Sequence, residues 1–189
     1  MRTVIKLTRY VISQLLVLKL NFSYYNKTSK TWLNSKDYSI DQIADIRSIQ
    51  WTLKNKEKRQ LIYNLTIPIV KKNIDLVVLN CHQNDLSGTE LKDTLLDPNN
   101  YKIIGELKGG IDPAGADEHW KTAHTALSRV RYSFQKHKIS IPLIFIGASI
   151  ETSMSKEIFN LYSKGEITNC ANLTVDNQLL SLCNWLVTL

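Results

Sequence analysis

The run Ile141-Pro142-Leu143-Ile144-Phe145-Ile146-Gly147 constrains this chain more than any other stretch. It carries no polar side chain, so it lacks the in-out alternation of a strand with one wet face, and it is too short for a typical helix. A strand buried on both faces is most often a parallel strand covered by helices. A helical pattern precedes it, over residues 116–138. There Trp120, Ala123, Leu127, Val130 and Phe134 share one face, and Lys121, His124, Ser128, Arg131 and Lys138 share the other. Two further apolar strands are predicted upstream, at residues 73–80 and 101–108, separated by a polar connection. Residues 154–163 read as a helix, 167–175 as a loop or short edge strand, and Asp176 as the cap of a last helix over 177–187. The order helix, strand, strand, helix, strand, helix predicts an α/β fold, a mixed β-sheet flanked by helices.

With 189 residues, 43% of them hydrophobic, the chain can bury one sizeable core. Its net charge of +7 is unevenly distributed. Residues 1–72 hold 14 Lys/Arg against 4 Asp/Glu, and residues 73–189 hold 10 against 13. This divides the chain into a basic segment, 1–72, and a second part, 73–189, that bears the candidate site. A basic face beside an acidic site suits a polyanionic substrate. The basic segment is expected to be mostly helical. Val4, Val11, Ile12, Leu15 and Leu16 fall on one face of an amphipathic helix, residues 22–39 read as a loop, and residues 41–64 carry Ile43, Ile46, Ile49, Leu53 and Leu61 at helical spacing. Lys54, Lys56, Lys58 and Arg59 cluster on the wet side of that second helix as candidate phosphate contacts, although a solvated helix face is the simpler single explanation of such a cluster. Cys81, Cys170 and Cys183 lie in or beside apolar runs without metal-ligand spacing, which points to free thiols in a reducing, cytoplasmic setting. No apolar run approaches the length of a membrane span.

The candidate chemistry lies where the second strand ends. Residues i and i+2 of a strand share a face, so Glu106 and Lys108 project together. On an exposed strand such a pair is ordinarily a solvated face. Here it closes an apolar run and precedes Gly109-Gly110, where a ligand or another segment can approach the backbone closely. Pro113-Ala114-Gly115 reads as a turn, Asp117 as the cap of the following helix, and His119 as a residue of its first turn. If the strands at 73–80 and 101–108 pair as an antiparallel hairpin, the start of the first meets the end of the second, and Asp75 arrives beside Glu106 and Lys108. Asp85 would fall at the far end of the sheet. Two converging carboxylates form a hard-oxygen site suited to Mg²⁺, with the Leu107 carbonyl as a third ligand. Lys108 would then orient water or stabilise charge on phosphorus.

An acid followed about thirty residues later by Glu-x-Lys resembles the PD-(D/E)xK nucleases. The longer stretch Glu106-Leu-Lys-Gly-Gly-Ile-Asp-Pro-Ala-Gly-Ala-Asp-Glu-His-Trp-Lys-Thr-Ala123 resembles type II restriction endonucleases of the AvaI/BsoBI group more specifically. That resemblance covers roughly residues 73–189. It implies a PD-(D/E)xK core in which Glu106 and Lys108 belong to the metal-dependent centre and His119 activates water. Asp112 would contact base edges, where a carboxylate can accept from cytosine N4. It further implies a cytoplasmic homodimer on double-stranded DNA that cuts a GC-rich palindrome, with a cognate DNA methyltransferase in the same system. Relatives are longer at the front, which leaves residues 1–72 as a remnant of that region. Two other readings stay open: a catalytically inactive DNA-binding remnant, and a nuclease of the same superfamily acting in repair or on junctions.

Overall fold

The computed structural model describes residues 2–110 and 113–189. Eight strands form one sheet in the order β2-β1-β3-β4-β5-β6-β7-β8. They are β1 (Phe22–Asn26), β2 (Thr31–Asn34), β3 (Ile46–Thr52), β4 (Lys58–Ile67), β5 (Lys72–Leu79), β6 (Tyr101–Lys108), β7 (Leu143–Gly147) and β8 (Asn169–Asn172). Pairing is antiparallel from β2 through β6 and parallel for β6-β7 and β7-β8. The helices are α1 (Arg2–Val17), α2 (Glu90–Leu96), α3 (Pro113–Gln135), α4 (Thr152–Ser163) and α5 (Asp176–Thr188). The mixed sheet flanked by helices is the α/β architecture expected from the sequence.

Two apolar clusters line the two faces of the sheet. Leu7, Val11, Ile12 and Leu15 of α1 and Leu179, Leu182 and Leu186 of α5 cover one face, over Ile49, Tyr63, Val78 and Ile144. Trp120, Leu127 and Phe134 of α3, Ile158 of α4 and Leu95 of α2 cover the other, over Val77, Ile104 and Phe145. β7 is therefore buried along its whole length, as its composition demands. The α3 stripe read from the sequence is the stripe that packs. α1 is amphipathic as predicted, except that Leu16 faces outward.

Residues 22–64 depart from the reading. The expected loop over 22–39 is the β1-β2 hairpin, and the expected helix over 41–64 is a 3₁₀ turn followed by β3 and β4. The reason is burial on both faces. In β3, Ile46, Ser48, Ile49, Gln50 and Trp51 are all buried, so no period of two survives, and isoleucines three apart imitate a helical stripe. The basic segment is thus not mostly helical, and its strands continue the sheet across residue 72 without a break. The Trp51 indole donates to the Val187 carbonyl at 3.0 Å, which ties β3 directly to α5. The polar connection over 81–100 holds the short α2 between 3₁₀ turns. All three cysteines are free. Among the described residues, no helix is long and apolar enough to cross a membrane.

Candidate active site

The β5-β6 ladder ends at the pair Leu76 and Gly105. One residue further on, the ladder partner is replaced by a side chain: Asp75 Oδ2 accepts the Leu107 amide at 2.9 Å. The same oxygen takes Lys108 Nζ at 2.8 Å, and Nζ also donates to Glu106 Oε2 at 2.6 Å. Asp75, Glu106 and Lys108 therefore meet at one point where two strands diverge, on the hairpin geometry expected for them. Asp85 caps a 3₁₀ turn beyond the other end of β5, accepting the His82 amide at 2.7 Å.

Local sequence explains this arrangement. Gly105 places no side chain against β7: a Cβ there would lie 2.5 Å from Cγ1 of Ile144. The close approach seals the residue just before Glu106, which is only 4% exposed. Burial, and next the Asp75 charge, push the Glu106 carboxyl up to about 7 against the opposing pull of Lys108. Burial pulls the Lys108 ammonium down, but the hydrogen bonds and charges of the two carboxylates outweigh it and hold it above the ordinary lysine range.

The donor set fits a hard cation. Two carboxylates already converge on one positive nitrogen. In an extended strand the amide and carbonyl of one residue point to the same side. Leu107 donates toward Asp75 while the Lys108 carbonyl accepts from Ala148 of the chain beyond β7, so the Leu107 carbonyl points into the gap beside Asp75. Among the described residues, no group of three or more His, Cys, Asp and Glu side chains forms a fuller cage. Mg²⁺ needs only one or two carboxylates, the rest of its shell being water and substrate oxygens.

The remaining candidates lie elsewhere. α3 begins at Pro113, where proline's missing N–H and fixed φ suit a first helical residue, so Pro113-Ala114-Gly115 is helix and not a turn. Asp117 consequently lies inside α3, paired with Lys121 at 2.5 Å, and His119 stands in the second turn. The His119 ring is exposed and lies over Gly110, two residues past Lys108. A Cβ on Gly110 would sit 2.6 Å from His119 Nε2. Asp112 lies outside the described residues.

The basic cluster is not beside these groups. Lys54 and Lys56 occupy the exposed β3-β4 turn, and Lys58 Nζ donates to Thr52 at 2.8 Å. Gln60 pairs with Leu79, at the end of β5 remote from Asp75, so the turn lies roughly 20 Å along the strands from the site. Arg59 is 4% exposed and spends its guanidinium inside the fold. It donates to the Leu189 carbonyl at 2.8 Å, to Asn80 at 2.6 Å and to Glu57 at 2.5 Å. Instead, a cleft of about 660 Å³ opens beside Asp75, Leu107 and Gly109, and runs past Asn64 and Tyr63 to Arg47 and Lys27. The sequence reading did not single out those two cations. One stood in the presumed loop and the other in the presumed helix, and only the order of β3, β4 and β5 in the sheet brings Arg47 within two strands of Asp75.

Comparison with known proteins agrees with this geometry. The family described as restriction endonuclease BsobI matches residues 2–189. The chain is 45% identical over 184 residues to the type II restriction enzyme AvaI of Nostoc sp., and equally to AvaI of Anabaena variabilis. Each match takes in 97% of this chain and 57% of the relative. It is 43% identical over 187 residues to the type II restriction enzyme BsoBI of Geobacillus stearothermophilus, taking in 96% of this chain and 56% of that one. The chain thus spans a little over half the length of these relatives, and the match includes the basic segment as well as the site. Two carboxylates and a lysine converging at a broken ladder, within a chain matched along nearly all its length, make it a member of the BsobI restriction endonuclease family.

Proposed function

We propose that this chain carries the catalytic centre of a Mg²⁺-dependent type II restriction endonuclease that hydrolyses phosphodiester bonds of double-stranded DNA at a GC-rich palindrome. The observation that carries this reading is the meeting of Asp75 and Glu106 on Lys108 Nζ, with the Leu107 carbonyl turned toward the same gap. Asp75, Glu106 and Leu107 would hold Mg²⁺, which would supply the charge that offsets negative charge developing on the phosphodiester. Lys108, kept cationic by both carboxylates, is placed to hold the attacking water or a non-bridging phosphate oxygen. His119, over Gly110, is the candidate base for that water. Asp112 is the candidate for contact with cytosine N4. A palindrome is read most simply by two copies related by a two-fold axis, each cutting one strand, so the working form is a homodimer. A methyltransferase of matching specificity would protect the host sequence in the cytoplasm where both act.

The test is incubation of the purified chain with plasmid DNA and Mg²⁺, followed by sequencing of the ends. Cuts at one recurring sequence, abolished by Lys108→Ala and by Glu106→Ala while duplex binding persists, are the expected result. Cleavage by either variant at the parent's rate would overturn the site. Cuts that follow DNA structure and not sequence would assign the chain to repair or junction chemistry instead.

A further inference from the structure

We infer that Arg47, with Lys27 behind it, is the backbone-positioning element of the active cleft and holds the phosphates next to the bond being cut. The inference rests on the duplex-DNA reading above and adds to it the residues that grip the strand.

The placement follows from strand order. Asp75 lies on β5, Arg47 on β3 and Lys27 just past the end of β1, and these strands are neighbours through β4. Asn64, next to Asp75 in the β4-β5 register, accepts through its backbone carbonyl from Arg47 Nη2 at 3.2 Å. Arg47 therefore stands two strand spacings from Asp75, roughly 10 Å, and Lys27 stands three spacings away, roughly 14 Å. The rise of about 3.4 Å per phosphate is measured along the duplex axis, and the winding strand separates successive phosphates by roughly twice that, so the two cations correspond to about one and two nucleotides from the site.

The charges are arranged to be used. Among the described residues, no carboxylate lies within ion-pair distance of Arg47, which is exposed, and its hydrogen bond to the Asn64 carbonyl orients the side chain without neutralising it. Lys27 is anchored by the Ala44 carbonyl at 3.0 Å and partly offset by Asp45 at 3.7 Å, which makes it the weaker of the two. Both line the cleft whose other end is Asp75, Leu107 and Gly109, so a strand with one phosphate at Lys108 would lay its next phosphates along it. Arginine's planar fork suits a phosphate better than a point-charged ammonium does. The basic cluster at 54–59, the candidate that the sequence offered, lies at the opposite end of the strands with its arginine buried.

The test uses Arg47→Gln and Lys27→Gln, singly and together. Glutamine can still donate to the Asn64 or Ala44 carbonyl, so the fold is kept while the charge is removed. A Lys54→Gln/Lys56→Gln/Lys58→Gln variant serves for comparison. Duplex binding is measured against salt, and cleavage is resolved into kcat and KM. Arg47→Gln should weaken binding about tenfold, the typical strength of one charged hydrogen bond. The double variant should lower the salt slope by about two, with kcat at saturation held within a few-fold of the parent. Placing a neutral methylphosphonate about one to two nucleotides from the cut should weaken the parent by the same factor and leave Arg47→Gln insensitive. Parent-like affinity, salt slope and methylphosphonate sensitivity in the double variant would overturn the inference and leave the nuclease reading standing. The same holds if the losses appear in the 54–58 variant instead. A parent chain that neither binds nor cuts duplex DNA would overturn both.

Discussion

Replacing Glu106 by glutamine should stabilise the metal-free protein at neutral and alkaline pH, although it removes a hydrogen-bonded charge. Glu106 is 4% exposed and its carboxyl is pushed up to about 7, first by burial and then by the Asp75 charge. The unfolded chain releases that proton near 4.5, the ordinary value. Between those two pH values the folded chain holds a proton that the unfolded chain has lost, so stability falls as pH rises and the loss is complete above about 7. The interval is about 2.5 pH units, and at 1.36 kcal/mol per unit the penalty is about 3 kcal/mol. Glutamine keeps an oxygen for Lys108 Nζ and cannot ionise. Glu106→Gln should therefore match the parent near pH 4.5 and exceed it by about 3 kcal/mol at pH 8. For a domain of this size that is a Tm higher by about 6–12 °C. Thermal melts in EDTA from pH 4.5 to 8.5 measure the effect. Adding Mg²⁺ at pH 8 should raise the parent's Tm, because ligation favours the ionised carboxylate, and should raise the variant's far less. Parallel curves for the two proteins at all pH values, or a variant less stable at pH 8, would refute the account of Glu106 as a carboxylate held in an unfavourable site until a cation arrives.

Three further substitutions separate structure from chemistry. Arg59→Ala should lower stability by about 2–3 kcal/mol, because a buried guanidinium bonded to Leu189, Asn80 and Glu57 is lost, yet leave DNA affinity nearly unchanged; calorimetry and a binding titration read the two effects, and the reverse pattern would reinstate Arg59 as a phosphate contact. His119→Ala should slow cleavage by about 10²–10⁴-fold at neutral pH, and part of that loss should return at higher pH where hydroxide substitutes for the base. Gly110→Ala, whose methyl would meet the imidazole at 2.6 Å, should reproduce a share of the same loss with the histidine still present, whereas parent rates in both variants would make His119 structural.

Several features follow from the sequence alone because neighbouring residues determine them. Glu106 and Lys108 share a face because a strand repeats every two residues, and β7 had to be buried because it offers water nothing. Asp75 could be chosen over Asp85 because a hairpin joins the start of one strand to the end of the next. The α3 stripe was equally legible, since one covered face leaves a clean helical period. Tertiary structure decided what involves distant partners. β3 lies under helices from both ends of the chain, α1 and α5, on one face, and on the other Ser48 and Gln50 are buried too, Gln50 accepting from the Gln83 amide of a distant turn, so its pattern lost the period that would have marked it as a strand. Arg59 looks like its lysine neighbours in sequence, and only the arrival of Leu189, 130 residues later, buries its charge. Lys27 and Arg47 carry no local mark at all. They reach the cleft because β4, β3 and β1 follow one another on the same side of the Asp75 strand, and strand order across a sheet is fixed by long-range packing, not by periodicity along the chain.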